Sequence, residues 1–189
     1  MTWLRALSKW GFFLVLALSL IEIPLVKIPS STSDLVGVRA ADVCSDPPRD
    51  NCSFYLDCLE SRYHCGSEGY PVGYGYKYCT QFSVEREKLS EKGQTWMVDT
   101  MQCLQRTLVP EATGVSNTTC SQLEDKAFDS HSVCYTQAGL CTLPPTDWLA
   151  IVSIVHLPTL FQSWDAFKET LQAGADCLEF YAFLIAHGL

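Results

Sequence analysis

Ten cysteines constrain this chain more than any other feature: Cys44, Cys52, Cys58, Cys65, Cys79, Cys103, Cys120, Cys134, Cys141 and Cys177. An even set of this size reads as disulfides in an oxidising compartment and as metal ligands or reactive thiols in a reducing one. The N-terminus points to the first case. Arg5 and Lys9 precede the apolar run Gly11 to Ile21, which Glu22 ends, and such a run is a signal-peptide core too short to cross a bilayer. Val38-Arg39-Ala40 fits a small-residue cleavage site, and Arg39 alone fits a proprotein cut. We therefore expect residues 1–41 to hold a signal peptide with a short propeptide, and 42–189 to form one secreted domain. Neither a Cys-x-x-Cys nor a His-x-x-x-His pair occurs, so zinc ligation has little support. The spacing alone leaves the disulfide connectivity open.

From Asp42 onward, 148 residues suffice for one core of ordinary size. They carry nine basic and nineteen acidic side chains, a net charge of −10, which repels phosphate backbones and excludes nucleic acid as an expected partner. No run after the signal segment is long and apolar enough for a membrane span.

Helical patterns recur and strand patterns are nearly absent, which makes the expected fold class all-α, a compact helical domain cross-linked by five disulfides. Ser53 reads as the cap of a helix carrying Tyr55, Cys58 and Leu59 on one face and stopping at Gly66. Met97, Met101, Leu104 and Leu108 make an apolar stripe after Gly93, with Cys103 beside it and Pro110 beyond its end. Ser121 and Glu124 read as a capping box for a helix to about Ala138, C-capped by Gly139. Thr146 reads as the cap of "DWLAIVSIVH", apolar nearly all round and ended by Pro158, hence a central buried helix. A helix from about Ser163 to Gln172 and a terminal one from Cys177 complete the set. The stretch between Gly66 and Cys79, with three glycines, a proline and four tyrosines, reads as a loop. Tyr70, Tyr74, Tyr76 and Tyr78 on it are the candidate partner-binding residues, since tyrosine is enriched at interface hot spots.

Two N-glycosylation sequons stand at Asn51-Cys52-Ser53 and Asn117-Thr118-Thr119, the second being the better acceptor. "HSVCYTQAGLC", His131 to Cys141, comes within one residue of the His-Asp-x-Cys-Tyr pattern of secreted phospholipases A2. Ser132 stands where that chemistry needs a calcium-binding Asp, so His131 reads as a helix-surface or boundary residue and the two cysteines as structural. His64, His156 and His187 are isolated in sequence, and Glu85/Glu87 and Glu124/Asp125 read as solvated helix faces. No metal site and no cofactor is expected.

The cysteine steps of 8, 6, 7, 14, 24, 17, 14, 7 and 36 residues resemble those of the stanniocalcin family. Local segments agree: "CLE" at Cys58 to Glu60, "KGQTWMVDTMQC" at Lys92 to Cys103, Cys134-Tyr135 seven residues before Cys141, and Leu157-Pro158 with Phe161. The resemblance covers Cys44 to Cys177. It implies a secreted, disulfide-linked, hormone-like glycoprotein without enzymatic activity, of a family associated with calcium and phosphate balance, in which some members inhibit pappalysin metalloproteases by binding them. It also implies the pairs Cys44 with Cys58, Cys52 with Cys79, Cys65 with Cys120, Cys103 with Cys134 and Cys141 with Cys177. The family's further, intersubunit cysteine has no counterpart among the ten, so a homodimer is expected to be non-covalent, with "EFYAFLIAHGL" (Phe180, Tyr181, Phe183, Leu184, Ile185) as a contact or as core. The leading functional reading is an extracellular ligand or inhibitor that binds another protein. Alternatives are a calcium-dependent phospholipase A2-type hydrolase and a secreted effector on the same scaffold.

Overall fold

Asn51 starts the first helix. Its Oδ1 accepts the Ser53 N–H at 2.7 Å, an Asx turn that takes the capping role expected of Ser53. The computed structural model describes residues 43–155 and 177–187. Helix α1 is π-helical over Tyr55–Glu60 and α-helical over Ser61–Tyr63. His64 ends it in the left-handed region (φ 51°), two residues before the expected stop at Gly66. The Glu60 carboxylate then accepts the Cys65 and Gly66 N–H groups at 3.1 and 2.9 Å, so the turn keeps its backbone donors satisfied.

The tyrosine-rich segment is a helix and not a loop. Tyr70–Tyr76 is π-helical and runs into an α-helical continuation, Lys77–Val84; together they form α2. Local composition argued for a loop because glycine is costly in helices. Tertiary packing overrides it: Gly75 lies against the Tyr55 ring too closely for a Cβ, and Gly73 sits tightly against the Ser67 and Glu68 carbonyls. Gly75 allows α1 and α2 to touch.

Helix α3, Glu91–Thr107, is capped by Ser90, whose side chain accepts the Gly93 N–H at 3.1 Å. Its stripe is buried as the spacing demands, Met97 at 1%, Met101 at 5% and Leu104 at 9% exposure, with Leu108 just past its end at 0%. Pro110 sits in the first turn of the short α4, Val109–Thr113, where its missing N–H costs nothing. Helix α5, Cys120–Gln137, has a true capping box, but it is Thr119 with Gln122, two residues earlier than the Ser121/Glu124 pair. Thr119 is extended (ψ 166°) and so able to cap, whereas Ser121 is already inside the helix.

Helix α6, Pro145–Ile154, begins at a proline with no side-chain cap, so Thr146 does not serve as one. It is not central either: Trp148, Ile151 and Ile154 face inward while Leu149 is 49% exposed. Asp147, 1% exposed, accepts the Ser90 N–H at 2.8 Å and the Ser90 hydroxyl at 2.6 Å, joining the starts of α3 and α6. Helix α7, Leu178–Ala186, buries Phe180 and Leu184 and sets Phe180 and Phe183 on Trp148 at 5.1 and 5.3 Å, leaving Leu178 and Ile185 in solvent. The expected helix from Ser163 to Gln172 lies outside the described residues.

Helix α3 packs on α5, and α1 on the π-helical part of α2. The bridges are Cys44–Cys58, Cys52–Cys79, Cys65–Cys120, Cys103–Cys134 and Cys141–Cys177, with Cα separations from 4.7 to 5.8 Å, and no cysteine is free. Arg49–Asp99, Arg86–Asp50 and Arg106–Asp46 also hold the N-terminal segment, but exposed pairs contribute only about 0–1 kcal/mol each against about 2–4 for a disulfide. The two bridges from Cys44 and Cys52 therefore do most of that anchoring. One pair differs: Glu111 is 2% exposed, and Lys126 donates to both its carboxylate oxygens at 2.7 and 2.8 Å, fixing α4 on α5. Among the described residues no helix is long and apolar enough to cross a membrane.

Candidate functional site: the tyrosine seam between α1, α2 and α5

The four candidate tyrosines do not share one environment. Helical phase turns Tyr70 inward, where it is 1% exposed; it meets Tyr55 edge-on at 6.2 Å and Phe128 at 5.6 Å, and stacks on Tyr74 at 6.5 Å. Tyr70 is therefore a core residue, a correction to its reading as a surface contact. Tyr74 is half-buried and packs on Phe128 at 5.3 Å, so it serves the seam first. Tyr76 and Tyr78 are half-buried at the outer edge, and the exposed Lys77 ammonium lies 5.2 Å from the Tyr78 ring centre. The accessible aromatic surface thus narrows to Tyr76, Tyr78 and part of Tyr74.

Burial without a charged partner pushes the hydroxyls of Tyr55, Tyr70 and Tyr135 well above the usual phenol range, and a side-chain hydrogen bond links Tyr55 with Tyr70. These groups stay protonated and neutral at any pH the fold meets. They act as packing and not as acids.

His131 projects from α5 into the same seam, half-buried, with ring centres of Phe128 and Tyr135 both 5.4 Å away. Its Nδ1 lies 2.6 Å from the Ala127 carbonyl. No carboxylate orients the ring, and Ser132 is buried at 8% exposure. The position is a boundary one, facing inward. Desolvation holds its pKa down at about 4. The unfolded chain, with the ordinary value near 6.5, takes up the proton first as pH falls, so stability is lost from pH 6.5 down to 4 and levels off below. Discounted for partial exposure, the loss is about 2–3 kcal/mol. Denaturant titrations at pH 7.5 and 4 should show His131→Leu losing less stability than the wild type by that amount; equal losses would place the pH dependence elsewhere.

The other candidates stay apart. His64 is exposed, His187 packs against Phe183 with ring centres 4.2 Å apart, and His156 lies outside the described residues. Glu85 pairs with Lys88, Glu87 and Asp125 are exposed, and Glu124 is half-buried. Among the described residues no three metal-ligating side chains gather. Asn117 is exposed and accepts from Arg62 at 3.3 Å; Asn51 is exposed too, but its carbonyl accepts from Gln105 and its side chain caps Ser53. The sequence reading missed Glu111 and Asp147, because a buried carboxylate carries no mark in a sequence that distinguishes it from a solvated one.

No curated protein matches the chain, and no solved structure does. The family model described as the stanniocalcin family matches residues 42–189, a span that includes all ten cysteines: the chain belongs to the stanniocalcin family.

Proposed function

We propose that the chain is a secreted, hormone-like glycoprotein that acts by binding an extracellular protein, with the outer edge of α2 as the contact face. Membership of the stanniocalcin family supports secretion and a hormone-like role without catalysis. The pairing of all ten cysteines fits an oxidising compartment, and the apolar run after Arg5 and Lys9 would deliver the chain there. Residues 1–41 are then removed as signal peptide and propeptide, and Asn117, exposed before α5, is the first acceptor of glycan, with Asn51 the second. Association of two chains is non-covalent in this reading, since every cysteine has an internal partner.

The observation that carries the contact face is the arrangement of Tyr76, Lys77 and Tyr78. Two half-buried rings flank an exposed ammonium on a helix held by Cys79 to Cys52, so little order has to be gained on binding. The hydrolase alternative finds no support in His131, whose ring packs among aromatic groups with a backbone carbonyl at Nδ1. The test is Tyr76→Ala with Tyr78→Ala. The partner is first captured with glycosylated wild-type protein from its native extracellular medium and then purified. The double variant should be secreted normally with unchanged helicity and bind that partner at least tenfold more weakly, about 1.4 kcal/mol. Unaltered affinity would move the contact face off α2.

A further inference from the structure

Asn51, Cys52 and Ser53 place a half-cystine at the centre of an N-glycosylation acceptor. Folding fixes the three residues from several sides. Cys52 is bridged to Cys79 of α2, which is 6% exposed, and the Asn51 carbonyl accepts from Gln105 of α3, which is 1% exposed. The Asn51 side chain is turned onto the Ser53 N–H, and Ser53, half-buried, stands at the start of α1. Glycan transfer needs the acceptor amide and the hydroxyl two residues on to be drawn out together into the transferase. From the closed fold, Asn51 would have to leave α3 and α1 would have to unwind at its start, while Cys52 stayed tied to a buried partner.

The hindrance runs one way. Asn51 is exposed, and its Nδ2, the atom that takes the sugar, has no hydrogen-bond partner among the described residues. A glycan already attached there leaves both the turn onto Ser53 and the Cys52–Cys79 bridge in place. The order of the two modifications therefore decides the product. Cys79 follows Cys52 by 27 residues, a length synthesised in about 1–5 s at about 5–20 residues per second. Disulfide formation itself takes seconds or longer, so Asn51 is open to the transferase for an interval of seconds that closure of the bridge ends.

We infer that Asn51 is a glycan acceptor only until Cys52–Cys79 closes, so that the rate of closure sets what fraction of the chains carries a second glycan. The inference rests on the reading of the chain as a secreted glycoprotein. Asn117 supplies the internal comparison, since its sequon lies in the exposed link before α5 and contains no cysteine.

The test expresses the full chain as wild type, Cys79→Ser and Cys52→Ser in a secretory cell line and reads the occupancy of both sequons by mass spectrometry of peptides from cell-associated and secreted protein together. A variant that fails to fold or to leave the cell still reports its occupancy. Wild type should carry the Asn51 glycan on part of the chains only. Cys79→Ser leaves the sequon untouched and removes only the partner of Cys52, so it should raise the ratio of occupied to unoccupied Asn51 by about threefold or more, with Asn117 unchanged. Cys52→Ser, which also keeps an acceptor pattern, should do the same. No rise in Cys79→Ser would overturn the inference, and a rise in Cys52→Ser alone would assign the effect to the middle residue of the sequon. Full occupancy of Asn51 in the wild type would equally overturn it. Unreduced wild-type peptides that bear the Asn51 glycan should still hold the Cys52–Cys79 bridge; glycosylated chains without the bridge would contradict the one-way order. If Asn117 is glycosylated while Asn51 stays empty in all three proteins, the inference fails and the glycoprotein reading stands; if neither site is ever occupied, both fail.

Discussion

Replacing Cys65 and Cys120 together with serine should lower the stability of the domain by about 4 kcal/mol, the chain-entropy value for a cross-link spanning 55 residues. That is a large share of the 5–15 kcal/mol typical of a folded domain. The bridge ties the chain just after α1 to the first residue of α5, closing a loop that contains α2, α3 and α4. Noncovalent contacts at that corner are few: Tyr63 donates to the Glu111 and Ser116 carbonyls at 3.2 Å each, and Arg62 reaches Asn117. The Tyr63 bonds are neutral and contribute only about 1 kcal/mol each, and the Arg62 bond is long and solvent-exposed, so they do not replace the covalent link. The matching Cys44→Ser/Cys58→Ser variant, across a separation of 14, should lose about 3 kcal/mol. Urea unfolding of the oxidised proteins measures both. A loss below about 1 kcal/mol for the Cys65/Cys120 variant would mean that the corner is held by Tyr63 and the Glu111–Lys126 pair instead.

What could be read from the sequence divides along physical lines. Periodicity marked α3 because Met97, Met101 and Leu104 answer to one solvent boundary, and burial follows directly from their spacing. The ten cysteines announced a cross-linked domain and, with the local segments around them, its resemblance to the family whose model matches residues 42–189. Caps were legible in kind but not in place: Thr119 and Gln122, not Ser121 and Glu124, form the box at α5, because sequence offers several acceptors and only the backbone angle at the helix start selects one. Thr146 failed for the same reason beside Pro145. Buried carboxylates were illegible altogether, since Asp147 depends on Ser90 and Glu111 on Lys126 of a different helix. The partner-binding tyrosines were legible only as a segment. Which of them faces out depends on the helix that the segment adopts, and its composition concealed that helix.

Gly75 is where that concealment can be tested most directly, and Gly75→Val should cost about 3–4 kcal/mol. By local propensity the substitution ought to be mild or even favourable, for a helical glycine gives up about 0.5–1 kcal/mol relative to alanine. Packing reverses the sign. A Cβ at Gly75 would fall within 3.0 Å of three Tyr55 ring carbons, and Tyr55, 2% exposed, is itself hemmed in by Phe54 at 5.9 Å and Tyr70 at 6.2 Å. Ring and Cβ cannot both keep their places, so either α1 and α2 separate or Tyr55 is pushed into the cavity of about 60 Å³ that it lines, and both moves break its packing. A double-mutant cycle makes the cause explicit: in a Tyr55→Ala background the space is already open, and Gly75→Val should then cost less than half as much. Were the segment the loop that its glycines and proline suggest, the valine would be accommodated by the backbone and the two costs would be equal. Unfolding free energies of the four proteins decide between a packed helix and a lid, and with it whether Tyr76 and Tyr78 are presented by a rigid surface or by a flexible one.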